Sequence, residues 1–421
     1  MGANKNASLT VRNFQKALHR STILDLIRTN GLISRTELAR QTRLSQASVT
    51  GITADLRDEG LIEEKQTGVS EGGRKPILLA INPDGVHVIG VNLSIGQVRV
   101  VIINFQAELK ASYITPLEKD YYSPEEMVDI IAQAIQACMW ESNYSRDQIA
   151  GVGVGIPGPV DARTGTIRFL PNYGWSNIAF RDLLRSKINH PVFIDNSANN
   201  LAIAEHWFGG GKGINNFLVV TLENGVGAGL VVNGQLLRGH QGIASEFGHT
   251  CADPDGPLCR CGRKGCIEAF VGNNSIIRDC KTLIKQGKWS GEIADPDKLV
   301  FTDVLAELKH GNKELELIYK KAGEVLGIGI YNLVTLLNPE LVIITGKGTK
   351  SGAVLFDPMF KILETYKKGE FGFEHTKIII QGSTDLDMIR EGSNHGGSDG
   401  DWAKESGTLV LREIYKSPTI I

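Results

Sequence analysis

The sequence predicts an α/β protein in two parts, an N-terminal winged helix-turn-helix followed by a larger body of two lobes. In the first 84 residues, apolar positions recur at helical spacing and are followed by two short strand patterns. From about Val86, short runs typical of buried strands alternate with longer amphipathic stretches, which predicts an α/β body with largely parallel sheets. A length of 421 residues suits two or three domains.

Composition and charge exclude several classes of protein. The formal net charge of -2 argues against a generally basic nucleic-acid coat, and 42% hydrophobic residues with 48 glycines indicate a globular chain. The N-terminus lacks the apolar core of a signal peptide, and no run of about 18 apolar residues occurs, so we expect a cytoplasmic protein without a membrane segment. In that reducing compartment, clustered cysteines are more often metal ligands than disulfides.

Three helices are predicted in the N-terminal domain. The first contains Leu18, Ile23 and Ile27 and ends at Asn30-Gly31, where glycine permits the left-handed backbone of a helix end. Ser34 can cap a short helix that ends near Thr42. Ser45 can cap another from Gln46 to Glu59, and together these two helices predict a helix-turn-helix.

The surface of this domain predicts DNA binding. The solvent side of the second short helix carries the small polar residues Gln46, Ser48, Thr50 and Thr53, which can reach base edges in a major groove. Two predicted strands, Leu61-Ile62 and ILLAI at 77–81, are joined by TGVSEGGRKP, which resembles a wing. The predicted DNA-binding residues are Arg35, Gln46, Ser48, Thr50, Arg74 and Lys75.

Charge is distributed unevenly, as in a DNA-binding head attached to a separate body. The first 75 residues hold 12 Lys and Arg against 8 Asp and Glu, while the remainder is acidic. The alternative is a three-helix module that binds another protein. The cap, turn, recognition helix and basic wing occur together and in order, which favours DNA.

The strand patterns of the body carry a family resemblance. The predicted strands are VHVIGVNL, VRVVII, IAGVGVGI, PVFI, FLVVTL, GAGLVV, KLV and ELVIIT. The motifs GVGVGIPGPVDARTG, PNYGW, PVFIDNSANNLAIAEH, GVGAGLVVNGQLLRGHQGIASEFGHT and CRCGRKGCIEAF, in this order behind a winged helix, resemble the ROK family of repressors and sugar kinases. They are most similar to its xylose-repressor and N-acetylglucosamine-repressor branch.

The resemblance implies an actin-like body of the hexokinase type and sets the domain boundaries. We expect the winged helix-turn-helix at 1–84 and the first α/β lobe at 85–200, completed by about 386–421. The helix around TLVLREIY would pack on that lobe, as in relatives. The second lobe, 201–385, would hold a zinc site and an oligomerisation surface.

Four residues predict a metal site. His249 is followed after nine residues by Cys259 and Cys261, and after four more by Cys266. One imidazole and three thiolates form the ligand set of a closed structural zinc site, and Gly262 and Gly265 let the loop curl around one centre. The alternatives are a disulfide among the cysteines or bound iron, and Cys251 remains a spare thiol near the site. The resemblance implies the same four ligands.

The resemblance also implies a sugar site beside the metal. In the family the ligand histidine contacts a sugar, and the Glu residues of the two neighbouring motifs mark the same pocket. Those positions are His249, Glu246 and Glu268 here, and Asn196 matches a sugar-contacting Asn. Asn172 lies in the PNYGW loop, which lines the pocket in relatives. The alternative is that Glu246 and Glu268 only brace the zinc histidine.

Three departures from the kinase pattern argue against phosphoryl transfer. Kinases of the family carry Asp-x-Gly-Gly-Thr after the first strand, whereas residues 92–96 read Asn-Leu-Ser-Ile-Gly, so side chains would block a phosphate cradle. Ser197 stands where kinases have the Asp that acts as general base, and a serine hydroxyl cannot replace it. Glu223 adds negative charge where kinases have a small residue beside the phosphates.

These observations predict a sugar-responsive transcriptional repressor of carbohydrate utilisation genes. It would bind its operator as a homodimer or homotetramer and be released by a sugar bound between the lobes. No Arg or Lys in the pocket motifs can be assigned to a phosphate, so we expect an unphosphorylated sugar such as xylose, glucose or a small oligosaccharide. The alternatives are a ROK-type kinase with a DNA-binding head, a regulator that senses a partner protein, and activation instead of repression.

Overall fold

The computed structural model describes residues 3–65, 77–94, 96–119, 121–293, 295–366, 375–382 and 402–415. These residues fall into two compact units. The first unit lies within Met1–Asp195 and Trp402–Ile421, and the second lies within Asn196–Asp401. None of the helices in the described ranges has the length and apolar character needed to cross a membrane.

The N-terminal part of the first unit contains the three predicted helices. They are α1 (Ala3–Asn30), α2 (Arg35–Thr42) and α3 (Gln46–Asp58). The predicted caps are confirmed, because the Ser34 side chain accepts a hydrogen bond from the Glu37 N–H and the Ser45 side chain accepts one from the Ser48 N–H. Gly31 has a φ of 74°, which ends α1 as the sequence predicts.

A three-stranded antiparallel sheet completes the winged helix. It consists of β1 (Ile33–Ser34), β2 (Ile62–Lys65) and β3 (Leu78–Ile81) in the order β1-β3-β2. The two predicted strands pair with each other, and β1 is an additional strand whose two residues carry too little pattern to predict. The wing tip at 66–76, with Arg74 and Lys75, lies outside the described residues.

The first unit also contains a five-stranded sheet in the order β11-β7-β4-β5-β6. Its strands are β4 (His87–Ser94), β5 (Gln97–Asn104), β6 (Leu109–Pro116), β7 (Ile149–Ile156) and β11 (Val192–Asn196). The helices of this part are α4 (Pro124–Glu141), α5 (Phe180–Lys187) and α12 (Trp402–Tyr415). A smaller antiparallel sheet contains β8 (Val160–Asp161), β9 (Thr166–Leu170) and β10 (Trp175–Ile178).

The second unit has a sheet of the same design, in the order β14-β13-β12-β15-β16. Its strands are β12 (Phe217–Leu222), β13 (Val226–Val232), β14 (Gln235–Leu236), β15 (Leu341–Thr345) and β16 (Lys377–Ile380). Its helices are α6 (Ser197–Phe208), α7 (Glu268–Val271), α8 (Asn273–Lys285), α9 (Phe301–Lys309), α10 (Lys313–Leu337) and α11 (Ala353–Tyr366).

The prediction of largely parallel sheets is wrong, because both five-stranded sheets are mixed. β4, β5 and β6 form an antiparallel meander, and only the β4–β7 pair is described as parallel in that sheet. Likewise β13 runs antiparallel to β12, whereas β15 runs parallel to it. The short turn between Ser94 and Gln97 could have revealed this, since parallel neighbours need a connection of about a dozen residues or more.

The predicted strand KLV at 298–300 is also wrong. Leu299 is buried as the chain approaches α9, and the Val300 N–H donates to the Asp303 Oδ2 at the start of that helix. A short apolar run cannot be distinguished from a helix approach by periodicity alone.

The C-terminal helix α12 packs on β4, β5 and β7 of the first unit, as expected from the family resemblance. The contact is close because glycines face the helix backbone. Gly90 and Gly153 face the carbonyl oxygens of Ala403 and Ser406, with no room for a Cβ at either position. This approach brings a helix from the end of the chain onto a sheet formed near its beginning.

Candidate functional site

The start of α3 presents polar side chains to solvent. Gln46, Ser48 and Thr50 are exposed, as the sequence predicts. The Ser45 and Ser48 hydroxyls lie 2.8 Å apart, and the Thr50 hydroxyl donates to the Gln46 carbonyl. These local hydrogen bonds order the first turn of the helix, whose side chains can form hydrogen bonds with base edges.

Thr53 does not belong to this exposed face, so its predicted position is wrong. Its side chain is fully buried, and its hydroxyl accepts a hydrogen bond from Arg35 Nε at 3.0 Å. Arg35 Nη2 donates in turn to Glu64 Oε1 at 2.6 Å on β2, and this hydrogen bond lowers the pKa of the Glu64 carboxyl. Arg35 therefore joins α2, α3 and the wing strand.

The cysteines lie in a tight antiparallel loop of the second unit. Isolated β-bridges pair Cys251 with Cys266 and Leu258 with Lys264. Gly262 and Gly265 have φ values of 84° and 70°, where glycine is favoured. Gly265 also faces the Asp253 carbonyl, with no room for a side chain. The loop thus curls as the two predicted glycines require.

The four predicted metal ligands come together. The ligand atoms of His249, Cys259, Cys261 and Cys266 all lie within 4.8 Å of one another. Cys259 Sγ is 3.6 Å from His249 Nδ1, and Cys261 Sγ is 3.6 Å from Cys266 Sγ. The cluster could therefore hold one metal ion.

The protonation tendencies of these groups follow from burial and neighbouring hydrogen bonds. Burial lowers the pKa of His249, which favours the neutral imidazole that metals bind. Burial raises the pKa of Cys259 and raises that of Cys266 to about 12. Burial also acts to raise the pKa of Cys261, but hydrogen bonds from Arg263 lower it to about 7. A bound dication would favour all three thiolates.

Glu268 lies directly beside the cluster, and it is paired with an arginine that the sequence analysis missed. Arg260 Nε donates to Glu268 Oε1 at 2.5 Å, and the Val226 N–H donates to Glu268 Oε2 at 3.0 Å. The Glu268 side chain is 4% exposed, whereas that of Arg260 is 47% exposed. The signal for Arg260 was its position between Cys259 and Cys261, which places it in the loop of the predicted metal ligands.

Glu246 and Asn196 have different surroundings within the second unit. Glu246 precedes the short 3₁₀ turn Phe247–His249, and its carbonyl accepts a hydrogen bond from the N–H of His249, a candidate metal ligand. It keeps a solvent-exposed surface, yet the protein atoms packed around it raise the pKa of its carboxyl. The Asn196 side chain caps α6 by accepting from the Ala198 N–H at 2.8 Å. α6 packs on β13, whose first residue is Val226.

Asn172 belongs to the first unit. It is exposed in the 3₁₀ turn Pro171–Tyr173, between β9 and β10. The aromatic rings of Tyr173 and Trp175 in the same PNYGW loop are buried and pack in a tilted arrangement with centroids 5.1 Å apart. The buried rings anchor the loop and leave Asn172 at its surface.

The residues that replace the kinase motifs are placed as follows. Ser94 is the last residue of β4, and its hydroxyl donates to the Gln97 carbonyl across the turn. Ser197 is the first residue of α6, and its hydroxyl oxygen is buried. Glu223 Oε1 accepts from the Lys347 N–H at 3.0 Å, so this carboxylate lies against the turn that follows β15.

This architecture defines a class of protein, a winged helix joined to an α/β body with two mixed five-stranded sheets and a Cys/His cluster. Residues 90–387 match the ROK family, and residues 19–63 match the winged helix-turn-helix DNA-binding family. The chain therefore belongs to the ROK family and has an N-terminal DNA-binding domain. The predicted family and fold class are confirmed.

Similar proteins include regulators and kinases. The chain is 31% identical to the xylose repressor of Caldicellulosiruptor bescii over 83% of its length and 88% of the relative. It is 30% identical to the DNA-binding transcriptional dual regulator NagC of Escherichia coli over 83% of its length and 85% of the relative. These named relatives support the predicted sugar-responsive DNA-binding repressor.

Solved structures show the same fold. A ROK family transcriptional regulator described as a homolog of the E. coli MLC protein is 23% identical, with a TM-score of 0.79 over 96% of this chain and 97% of that chain. A ROK family glucokinase from Streptomyces griseus, solved with glucose and AMPPNP, is 22% identical. Its TM-score is 0.63 over 77% of this chain and 98% of that chain.

Proposed function

We propose that this chain represses carbohydrate utilisation genes and leaves its operator when it binds a sugar. The main observation is the combination of a winged helix, whose recognition helix begins with exposed polar residues, and a ROK body. Relatives at about 30% identity that are named xylose repressor and N-acetylglucosamine repressor support a sugar as the effector. We propose an unphosphorylated sugar, with xylose the first candidate. A regulator of this kind acts on chromosomal DNA, so we place it in the cytoplasm.

The proposed DNA contacts lie on one part of the head. Gln46, Ser48 and Thr50 are exposed at the start of α3, the part of a recognition helix that reaches base edges. We assign phosphate or minor-groove contacts to Arg35, Arg74 and Lys75. One recognition helix reads only a few base pairs, so we propose a homodimer or homotetramer that places two heads on one operator.

We infer that the metal is zinc. With metal–sulfur bonds of about 2.3 Å and metal–nitrogen bonds of about 2.0 Å, a tetrahedral zinc site requires about 3.8 Å between sulfurs and about 3.5 Å between sulfur and nitrogen. The 3.6 Å distances that join Cys261 to Cys266 and Cys259 to His249 fit these dimensions. Four protein ligands leave no open position, so zinc would be structural and would fix the loop that carries Glu246 and Glu268.

The proposed sugar site contains Asn172, Asn196, Glu246, His249 and Glu268. His249 directs Nδ1 toward Cys259, so its Nε2 lies on the opposite edge of the ring. Glu268 is held by Arg260 and the Val226 N–H, which fixes the direction of its acceptor oxygens. Fixed donors and acceptors of this kind recognise sugar hydroxyls. The position of Arg260 makes it a candidate addition to this set.

We propose that the protein is not a kinase. Ser94 turns its hydroxyl to the backbone of its own hairpin, and Ser197 lacks the acidity of the missing general base. The Glu223 carboxylate lies against the turn after β15 and would repel a phosphate placed there. Loss of a general base alone typically costs about a hundred- to ten-thousandfold in rate.

Operator release tests the proposed function. The purified protein would be bound to DNA from beside its own gene and titrated with neutral sugars and sugar phosphates. Glu246→Gln should raise the sugar concentration needed for release by about tenfold or more, since one charge-assisted hydrogen bond is lost. Asp255→Asn removes the same charge from an exposed residue outside the proposed site and should have no effect.

Each outcome has a distinct meaning. Release by one sugar that is impaired only in Glu246→Gln supports the proposal and identifies the effector. If the protein binds DNA but no sugar releases it, the proposed sugar response is wrong and a partner protein becomes the better hypothesis. ATP consumption that depends on a sugar would contradict the absence of kinase activity.

A further inference from the structure

Cys251 is a fourth thiol beside the three cysteines of the metal cluster. It is exposed, and within the described part of the chain it does not join the four residues whose ligand atoms come together. The proposed zinc site therefore gives this residue no role. Cys266, its partner across the β-bridge, is buried and belongs to the metal cluster.

The hydrogen bonds around this bridge determine what kind of pair the two cysteines form. The Ile267 N–H donates to the Thr250 carbonyl at 3.0 Å, and the Ala252 N–H donates to the Gly265 carbonyl at 2.8 Å. Because these bonds flank Cys251 and Cys266 instead of joining them, the cysteines form a non-hydrogen-bonded antiparallel pair. Such pairs have Cα atoms about 4.5 Å apart and side chains on the same face.

That separation suits a disulfide. Cysteines in disulfides have Cα atoms about 4.4 to 6.8 Å apart, so the pair requires little movement of the backbone. The close approach is enforced on one side by Gly265, which faces the Asp253 carbonyl without room for a Cβ. The second bridge, between Leu258 and Lys264, holds the same two segments in register.

We propose that Cys251 and Cys266 form a reversible disulfide when the protein meets a hydroperoxide, and that this bond withdraws Cys266 from the metal site. The exposed thiols of this loop are Cys251 and Cys261. We assign the first reaction to Cys251 because it lies opposite Cys266 in the β-bridge and is not one of the four proposed metal ligands. Only the consequence for zinc depends on the zinc proposal. The disulfide itself depends on neither zinc nor sugar binding.

The chemistry involves two electrons. The Cys251 thiolate attacks one peroxide oxygen, an S–O bond forms, the O–O bond breaks, and the leaving oxygen takes a proton to give water or an alcohol. The Cys266 sulfur then attacks the Cys251 sulfur, an S–S bond forms, and hydroxide leaves and becomes water. The two thiols are oxidised and the peroxide is reduced. Any zinc keeps only His249, Cys259 and Cys261, and a thiol reductant reverses the reaction.

The experiment uses the full-length, reduced, zinc-loaded protein and hydrogen peroxide. Zinc release is followed with a chromophoric chelator, and the cysteine pairing is determined by mass spectrometry of digested protein. Cleavage before Asp253 separates Cys251 from Cys259, and cleavage after arginine places Cys259, Cys261 and Cys266 on different peptides. The pairing can therefore be assigned without ambiguity.

The proposal predicts a disulfide between Cys251 and Cys266 and zinc release that a reductant with added zinc reverses. Cys251→Ser retains all four ligands, so it should bind zinc normally but release it about tenfold more slowly under peroxide. Cys138→Ala removes a buried thiol of the first unit and should match the wild type.

Two results would overturn the proposal. One is oxidised wild-type protein in which Cys266 is joined to Cys259 or Cys261. The other is Cys251→Ser protein that loses zinc as fast as the wild type. If the protein binds no zinc, the zinc proposal fails, while the mass spectrum still decides whether the disulfide forms.

Discussion

Alanine at Gly265 should cost the proposed zinc site most of its affinity for the metal, whereas alanine at Gly262 in the same loop should cost little. Both glycines have a positive φ, so either substitution costs about 1 kcal/mol in backbone strain, or about fivefold in affinity. The two positions differ in the space available for a Cβ atom. A Cβ at Gly262 would meet nothing within 4 Å, but one at Gly265 would lie 1.5 Å from the Asp253 carbonyl oxygen.

The magnitude follows from the displacement that the clash requires. A Cβ is in ordinary van der Waals contact with another heavy atom at about 3.4 Å or more. Asp253 and the segment carrying Cys251 must therefore separate from Gly265 by about 2 Å, whereas metal–ligand distances tolerate only about 0.2 Å. Cys266 follows Gly265 directly, so its sulfur should leave the centre and zinc should bind about a hundredfold more weakly or worse.

Competition with a chromophoric zinc chelator measures both affinities. Gly262→Ala serves as the matched control, because it has the same substitution and the same sign of φ in the same loop. Equal zinc affinities in the two variants would refute the argument that the close approach of Gly265 to Asp253 sets the geometry of the site.

Four further predictions concern the head, the proposed lack of kinase activity and the first unit. Arg35→Gln should weaken operator binding and lower the slope of log affinity against log salt by about 0.9 per lost phosphate contact. An unchanged slope would mean that Arg35 only holds the helices and the wing strand together. The pKa of Glu64 lies below its ordinary 4.5 because Arg35 donates a hydrogen bond to its carboxylate. This interaction therefore stabilises the fold above pH 4.5, and the stabilisation is lost as the pH falls through the lowered pKa. Thermal unfolding across acidic pH should show a weaker dependence in Glu64→Gln, and an unchanged dependence would contradict this role. Ser197→Asp should not produce sugar-dependent ATP consumption in a coupled assay, because residues 92–96 still read Asn-Leu-Ser-Ile-Gly and not the kinase Asp-x-Gly-Gly-Thr. Sustained turnover would contradict this expectation. Gly90→Ala should lower the melting temperature of the first unit, at a cost of about 2 kcal/mol, because its Cβ would overlap a carbonyl of α12; Gly51→Ala, with open space around it, is the control.

The features that could be predicted from the sequence are those that depend on residues close to one another along the chain. Ser34 and Ser45 begin their helices because a serine side chain satisfies N–H groups only two or three positions away. The Cys/His site was predictable for a similar reason, since Cys259, Cys261 and Cys266 share one short loop. His249 is only slightly more distant along the chain, and the loop glycines leave few other ways to fold.

The errors arose where a partner distant in sequence determines the result. Thr53 is a polar residue of the kind found on exposed helix faces. Arg35, 18 residues away in sequence, covers it and donates a hydrogen bond to its hydroxyl. The mixed order of the sheets was missed because a buried strand has the same apolar pattern whichever way its neighbour runs. Arg260 was overlooked because its long side chain could have pointed to solvent, and only the fold shows that it turns to Glu268.

The side chain of Tyr415 contacts both the head and the sheet of the first unit. Its buried ring stacks on Phe105, just after β5, with ring centroids 4.6 Å apart. The Arg28 guanidinium of α1 lies 5.6 Å from the centroid of the same ring. A single side chain of α12 thus contacts both the longest helix of the head and the residue that follows β5. Because packed interiors resist compression, we expect a shift of β5 beneath α12 to displace α1, which packs against the recognition helix α3.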